Sequence, residues 1–246
     1  MAKIRMKYGD YVLSDDFICI IKSRPLPEFK PTSTQVDGAD GESFDALTLG
    51  TRTFAIEVVS KPGHTRKQRY VLARKLAGEL LTRKPKRFIF TDENADDGTQ
   101  LYRMATPTGI VDIEAFVNAE RWTITFDQKD PYLYKVSTRS VKLTRDWKVV
   151  NVGGNAPTFP IAKCAKPSGK RYALVASDVG AIEYDAPFSG SNLLTIDFKN
   201  QTVKTENTIQ GADGITLGSR FFEFSGTLLM CASDVTTLTW RERYIR

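Results

Sequence analysis

Short runs of β-branched and aromatic residues, each closed by turn formers, recur along almost the whole of this 246-residue chain. In the first half they are TFAIEVV (Thr53–Val59), RFIFT (Arg87–Thr91), LYRMAT (Leu101–Thr106), GIVDIEAF (Gly109–Phe116) and RWTITFD (Arg121–Asp127). Side chains of this kind pack well on a pleated backbone, so a chain made of such runs is bound to build sheets. One stretch breaks the pattern. Thr65 and Gln68 have the spacing of a capping box, Ala73, Leu76, Ala77 and Leu80 then repeat at helical spacing, and Pro85 bars continuation. The first half is therefore expected to be a β-rich unit crossed by one helix.

After DQKDPYLYK (Asp127–Lys135) only strand and turn patterns follow. Their spacing of roughly ten residues is that of a β-sandwich. In LLTIDFKNQTVKT two strand patterns meet at Lys199–Asn200–Gln201, which reads as a hairpin. The boundary is expected near Val136–Ser140, giving a β-rich domain with one helix over residues 1–138 and a β-sandwich over 139–246. No window approaches the roughly 18 uninterrupted apolar residues of a membrane helix, and MAKIRMKYGDYVLSDD lacks a signal-peptide core. The expectation is a protein assembled in a cytoplasm and not inserted in a membrane. A net charge of +6 permits an acidic partner or nucleic acid without requiring either.

Catalytic signals are weak. His64, the single histidine, stands just before the helix cap, and nucleophilic triads and histidine metal sites need more than that. Cys19, Cys164 and Cys231 are far apart and form no C-x-x-C, so free thiols are expected rather than a zinc site. In TDENADDGTQLYR, Asp92, Asn94 and Asp96 fall where a calcium loop has its first three ligands. The glycine comes one residue late, however, and Arg103 stands where the bidentate carboxylate belongs. A solvated hairpin loop is the expectation there. The glycines of VDGADGES fit neither a dinucleotide fingerprint nor a P-loop, and a strand follows them, so they are read as turns. Trp147, Tyr184 and Phe188 are candidates for sugar stacking, with core packing the more economical role. No cofactor, metal or catalytic residue is assigned.

Two features point to surfaces. The run Lys61, Arg66, Lys67, Arg69, Arg74, Lys75, Arg83, Lys84, Lys86 and Arg87 is opposed locally by Glu79 alone. Arg66, Arg69 and Arg74 are the candidate basic face, toward a neighbour or a pore. The segment PEFKPTSTQVDGADGESFDALTLG is too long and polar for an idle connection. Thr32, Gln35, Asp37, Gly38, Asp40, Gly41 and Glu42 are its candidate subunit-interface residues. TFAIEVV and RWTITFD are apolar enough to be expected to pair across subunits.

The order of these parts resembles a known family. DGADGE, LGTRTFAIEVV, the Arg-studded helix, the RFIFTDE…LYRM hairpin, WTITFDQKDPYLY, GGNAPTFP and the closing LTWRERYI follow one another as in the distal tail proteins of long-tailed bacteriophages. The most telling pieces are Phe126–Tyr134, with Asp130–Pro131–Tyr132, and Asn151–Pro160. Ala39 stands where this family often has an Arg, so a salt bridge made by that Arg has no counterpart here. The resemblance implies a structural protein, not an enzyme, located at the virion tail tip. It implies a homohexameric ring through the first domain, joining the tail tube protein to the tail hub or fibre protein. The second domain would be a galectin-like or carbohydrate-module-like sandwich able to hold receptor-binding protein, and DNA would pass through the pore without specific binding. A carbohydrate-binding protein acting through its sandwich is the competing reading.

Overall fold

A computed structural model describes residues 5–35, 42–82, 84–109, 112–165, 167, 171–185, 193–205, 208–210 and 214–246. The chain divides into two compact units, Met1–Leu133 with Ile245–Arg246, and Tyr134–Tyr244. The protein is mainly β.

The first unit begins with β1 (Met6–Tyr8), β2 (Tyr11–Val12), the single turn α1 (Leu13–Asp16) and β3 (Phe17–Ser23). A hairpin of β4 (Phe29–Gln35) and β5 (Glu42–Leu49) comes next. Then come β6 (Arg52–Ser60), α2 (Arg66–Leu80), β7 (Lys86–Phe90), β8 (Leu101–Thr108), α3 (Ile113–Ala119) and β9 (Arg121–Gln128). Seven of the strands lie in one sheet in the order β2-β1-β7-β8-β9-β6-β3, every pairing antiparallel. Phe54, Ile56 and Val58 alternate along β6 and are wholly buried. Phe54 lies opposite Phe126 of β9, the rings stacked 5.1 Å apart, and Phe88 meets both edge-on. Such pairs contribute about 0.5–1.5 kcal/mol each beyond the area they bury.

α2 starts as its sequence dictates. Thr65 Oγ1 accepts from the Gln68 amide at 3.3 Å, and Gln68 Oε1 accepts from the Thr65 amide at 2.7 Å. Ala73, Leu76, Ala77 and Leu80 face inward. The helix stops at Leu80, ahead of Pro85. The chain also carries a further helix where a strand is expected from GIVDIEAF. Asp112 caps α3, its side chain accepting from the Ala115 amide at 2.9 Å, and Phe116 and Val117 are buried one after the other. Adjacent buried residues suit a helix and contradict the period of two that a half-buried strand requires. Glu120, at φ 59°, ends α3 in the left-handed conformation.

TFAIEVV is not free to pair across subunits. β6 pairs with β9 from Arg52↔Gln128 to Val59↔Arg121, and its other edge is taken by β3. A strand hydrogen-bonded on both sides has no edge left to offer.

β10 (Leu133–Lys135) leads into the second unit, which contains β11 (Arg139–Leu143), β12 (Lys148–Asn151), β13 (Ile161–Cys164), β14 (Arg171–Ala176), β15 (Gly180–Asp185) and β16 (Leu194–Asp197). It continues with β17 (Thr202–Thr205), β18 (Thr208–Gln210), β19 (Thr227–Ala232), β20 (Thr236–Trp240) and β21 (Arg243–Tyr244). One sheet runs β11-β20-β13-β16-β17-β18 and the other β12-β19-β14-β15. Inward residues of both, among them Val150, Ala162, Leu174, Ile182, Ile196, Met230 and Leu238, form one core, which makes the unit a sandwich. The β16–β17 hairpin turns at Lys199–Asn200–Gln201, with Gln201 at φ 52°.

The motif GGNAP has a steric cause. Gly154 sits at φ 77°, and a Cβ there would fall inside contact distance of the Arg243 carbonyl oxygen. Only glycine allows this approach, which lets the Asn155 amide donate to the same carbonyl at 3.1 Å.

Candidate functional site

Three places in the described structure present charge or unpaired surface: the β4–β5 hairpin, the outward side of α2, and the loop between β7 and β8.

The hairpin pairs with itself as a separate two-stranded sheet, from Phe29↔Leu49 to Gln35↔Glu42, with a register shift at Thr32/Ser33. Phe29 and Leu26 are 51% and 60% exposed, and Thr32 is exposed. Seven residues of strand reach about 24 Å. A lone two-stranded ribbon is marginal in water and gains its order from a surface to lie on. Thr32, Gln35 and Glu42 thus fall on paired strands. Asp37, Gly38, Ala39, Asp40 and Gly41 lie outside the described residues.

α2 does not gather its arginines on one face. At 100° per residue Arg69 and Arg74 stand about 140° apart. Arg69 continues the inward row of Ala73, Leu76 and Leu80. Its guanidinium donates to the carbonyls of Val117 (3.0 Å) and His64 (2.8 Å) and pairs with Glu120 at 2.9 Å, only 16% of the side chain being exposed. Arg69 ties α2 to α3. Arg66 is exposed, 3.9 Å from Glu114. Arg74 is exposed on the opposite ridge, in line with Lys67, Val71 and Gly78. Lys67 joins this ridge although it is not one of the three arginines of the candidate face, and the spacing 67, 71, 74, 78 is the signal that places it there. Others of the basic run hold the fold: Lys75 pairs with Asp16 at 2.7 Å, Lys86 with Glu79 at 3.0 Å, and Arg87 lies over the Tyr102 ring. Arg83 lies outside the described residues.

The acidic loop is held by arginines. Arg24 grips Asp92 through both carboxylate oxygens at 3.0 and 2.9 Å, Arg103 pairs with Glu93, and Arg246 pairs with Asp96. Arg103 is wholly buried between the rings of Phe54 and Phe90, at 5.1 and 5.0 Å. Leu101, Tyr102 and Arg103 are buried in succession at the start of β8. Arg52 is buried beside it, and burial, with the Arg103 charge, lowers its pKa to about 10. Among the described residues, no group of three or more His, Cys, Asp or Glu is placed to hold a metal.

His64 Nδ1 lies 3.3 Å from Ser60 Oγ, a contact within the turn that precedes α2. Cys19, Cys164 and Cys231 are not joined in disulfides. Burial pushes the Cys19 thiol up to about 11, against the opposing Ser14 hydrogen bond, so it is protonated at neutral pH. Of the aromatic candidates Tyr184 is buried, Trp147 is 52% exposed, and Phe188 lies outside the described residues. Among the described residues, no helix is long and apolar enough to cross a membrane.

The architecture is that of a two-unit, mainly β protein whose sandwich follows a sheet-and-helix unit with a separate hairpin. Residues 153–244 match the family model for the siphovirus-type tail component, C-terminal domain. The fold is similar to the crystal structure of SPP1 Dit, described as a paradigm of the hub adsorption apparatus in phages infecting Gram-positive bacteria. The TM-score is 0.74 at 16% identity, over 98% of this chain and 98% of that chain. It is also similar to a chain of the phage p2 baseplate in its activated conformation with Sr, with a TM-score of 0.54 and 10% identity over 97% and 98% of the two chains. No curated protein sequence matches. The second unit is thus similar to the siphovirus-type tail component C-terminal domain, and the chain as a whole has a fold similar to that of SPP1 Dit.

Proposed function

We propose that this protein is a structural component of a phage tail tip. Six copies form a ring through the domain of residues 1–138. The ring joins the end of the tail tube to the tail hub or fibre protein, and the sandwich of residues 139–246 supports receptor-binding components. DNA passes through the pore without specific binding. The protein assembles in the host cytoplasm and carries out no catalysis. The observation that carries this reading is the likeness to SPP1 Dit over almost the full length of both chains, together with the tail-component match of the sandwich. The hairpin supports it, because a ring needs one face of a subunit to meet a different face of the next, and a self-paired ribbon is an element in want of a surface.

Electron microscopy of the purified protein and of assembled tails tests it directly. Class averages are expected to show a closed ring of six copies at the end of the tube. A different copy number at that level, or a position elsewhere on the virion, overturns the reading.

A further inference from the structure

We propose that β12 is a docking edge: a strand from another tail protein pairs with it and lays apolar side chains on the face beside it. This rests on the reading that the sandwich carries a further tail component, and names the place and the chemistry of the contact. β12 is hydrogen-bonded on one side only, to β19. Val152, just past β12, donates its amide to the Gly226 carbonyl at 2.9 Å. Bonded and non-bonded positions alternate in an antiparallel pair. Val150 and Lys148 therefore also aim their main-chain groups at β19, whereas Asn151 and Val149 aim theirs away from it. Leu229, opposite Val149, agrees with this register, because its carbonyl accepts from the Ser177 amide at 2.8 Å on its other side. The outward carbonyl of Asn151 is taken by Arg139 at 3.4 Å. The amide and carbonyl of Val149 have no partner among the described residues, and Val149 is 67% exposed.

The face beside this edge departs from the rule that outward positions of a half-buried sheet are polar. Val149 lies opposite Leu229, itself 42% exposed, and Cys231 lies opposite Val175, which lies opposite Ala181. Trp147, just before the strand, is exposed as well. An outward row of the other sheet reads Thr237, Lys163, Thr195, Lys204 instead. Exposed apolar surface of this kind marks contact with another molecule, and an open edge beside it suits an extended chain. Charge decides which chain. Lys142, Arg145 and Lys148 flank the edge, with Asp146 the one acidic residue among them. Arg145 and Lys148 donate to the main-chain carbonyls of Ser233 and Lys142, and none of the three basic residues is ion-paired among the described residues, whereas Arg139 and Arg171 are each paired with a carboxylate. A second copy of the same edge would bring these like charges together, which is how lysines at natural sheet edges discourage self-pairing. The occupant is therefore a strand of a different protein that alternates apolar residues with Asp or Glu.

The test uses assembled tails that contain the full chain. Val149→Pro removes an amide that faces away from β19 and leaves the β12–β19 ladder whole, because proline is tolerated where an edge amide faces solvent. Leu229→Lys puts a charge on the apolar face, and Thr237→Lys on the other sheet is the control. Unchanged thermal melts of the purified chains confirm the folds. Carbodiimide, which joins amines to carboxylates in contact, is expected to link Lys142 or Lys148 to an Asp or Glu of one other tail protein, identified by mass spectrometry. The amount of that protein in the tails is expected to fall at least about tenfold in Val149→Pro and in Leu229→Lys and to stay unchanged in Thr237→Lys. Tails that keep the protein in full in both edge variants, or cross-links that avoid both lysines, overturn the docking edge and leave the tail reading standing. Wild-type tails that lack this chain overturn the tail reading itself. Self-association of the purified chain that Val149→Pro abolishes overturns the choice of occupant. Binding of purified host wall glycan that Trp147→Ala abolishes, with tail composition unchanged in the edge variants, also overturns it and assigns the face to sugar.

Discussion

Asp16 shows how one carboxylate can organise the start of this fold. Its Oδ2 accepts from Tyr11 at 2.6 Å and from Lys75 at 2.7 Å, and the Lys75 ammonium lies 4.8 Å above the Tyr11 ring. Burial raises the pKa of Asp16, but the hydrogen bonds of Lys75 and Tyr11 and the charges of Lys75 and Lys61 outweigh it, so the net shift is downward. Burial and the same hydrogen bond push Tyr11 upward. A carboxyl whose folded pKa is depressed adds stability above its unfolded pKa and loses it as pH falls through the folded value. Asp16→Asn is therefore expected to cost about 1.5–3 kcal/mol at neutral pH, as for hydrogen bonds to a charged group, and to cost less in strong acid, at about pH 2, as the carboxyl becomes protonated in the folded state too. Denaturant midpoints at the two pH values check this, and a loss of equal size at both would mean that packing, not charge, is at stake. Little of this arrangement is legible in the sequence. Asp16 and Lys75 are far apart along the chain, and no spacing rule joins them. Arg103 is a second such case: the sequence reads it at the end of a solvated loop, whereas Leu101, Tyr102 and Arg103 are buried in succession, so no alternation points it inward.

At the scale of elements, the strands and the capped helix are legible because their signals are local. Thr65 and Gln68 cap α2 within one turn, and Phe54, Ile56 and Val58 alternate on β6. α3 is not legible as a helix. GIVDIEAF has strand-forming residues at its start, and the decisive features are the Asp112 cap and the burial of Phe116 beside Val117. The second depends on tertiary packing, which overrides a weak local preference. The cross-subunit role expected of TFAIEVV fails for a related reason, since apolarity alone does not say which neighbour covers a strand. The hairpin is the element with least support from its own chain. Among the residues between Arg24 and Thr51 whose burial is described, 25–33 and 48–50, none belongs to the buried core of the first unit. Deleting Thr32–Glu42 is accordingly expected to leave the fold intact, with a thermal midpoint close to that of wild type, and to abolish the ring in assembled tails. Rings formed by the deleted protein would show that the hairpin is not the connecting element.

At the scale of the whole molecule, the described core residues fall into two sets with no member in common. One runs from Met6 to Phe126 and the other from Leu143 to Trp240. Each set holds well over a dozen buried side chains, and a set of that size supports cooperative unfolding by itself. The final residues make the two units unequal, because Ile245–Arg246 belong to the first. There Arg52 donates to the Arg246 carbonyl at 2.7 Å, and the Arg246 guanidinium donates to the Asn94 carbonyl at 2.7 Å and pairs with Asp96. A polypeptide of residues 134–244 keeps its whole core and should melt in one cooperative transition. A polypeptide of residues 1–133 loses the Arg246 carbonyl that Arg52 binds and the Arg246 partner of Asp96, while Arg52 keeps Gln128 and the Pro25 carbonyl. Arg52 is buried, one of its guanidinium nitrogens already lacks a hydrogen-bond partner in the structure, and a second would be left with only the long 3.5 Å contact to the Pro25 carbonyl, a loss of about 1 kcal/mol. The first unit in isolation is therefore expected to be less stable than in the full chain by about that amount, while the isolated sandwich matches its full-length transition. In the full chain, Arg246→Ala should reproduce only the part due to Asn94 and Asp96, about 1 kcal/mol or less for an exposed pair, because the main-chain carbonyl that Arg52 binds is retained. Calorimetry of the two isolated units, the full chain and the Arg246→Ala variant separates these terms. An isolated sandwich that aggregates or melts without a heat-absorption peak would show that it depends on the first unit for its core. A first unit as stable alone as in the full chain would show that Arg52 finds another partner when Arg246 is gone.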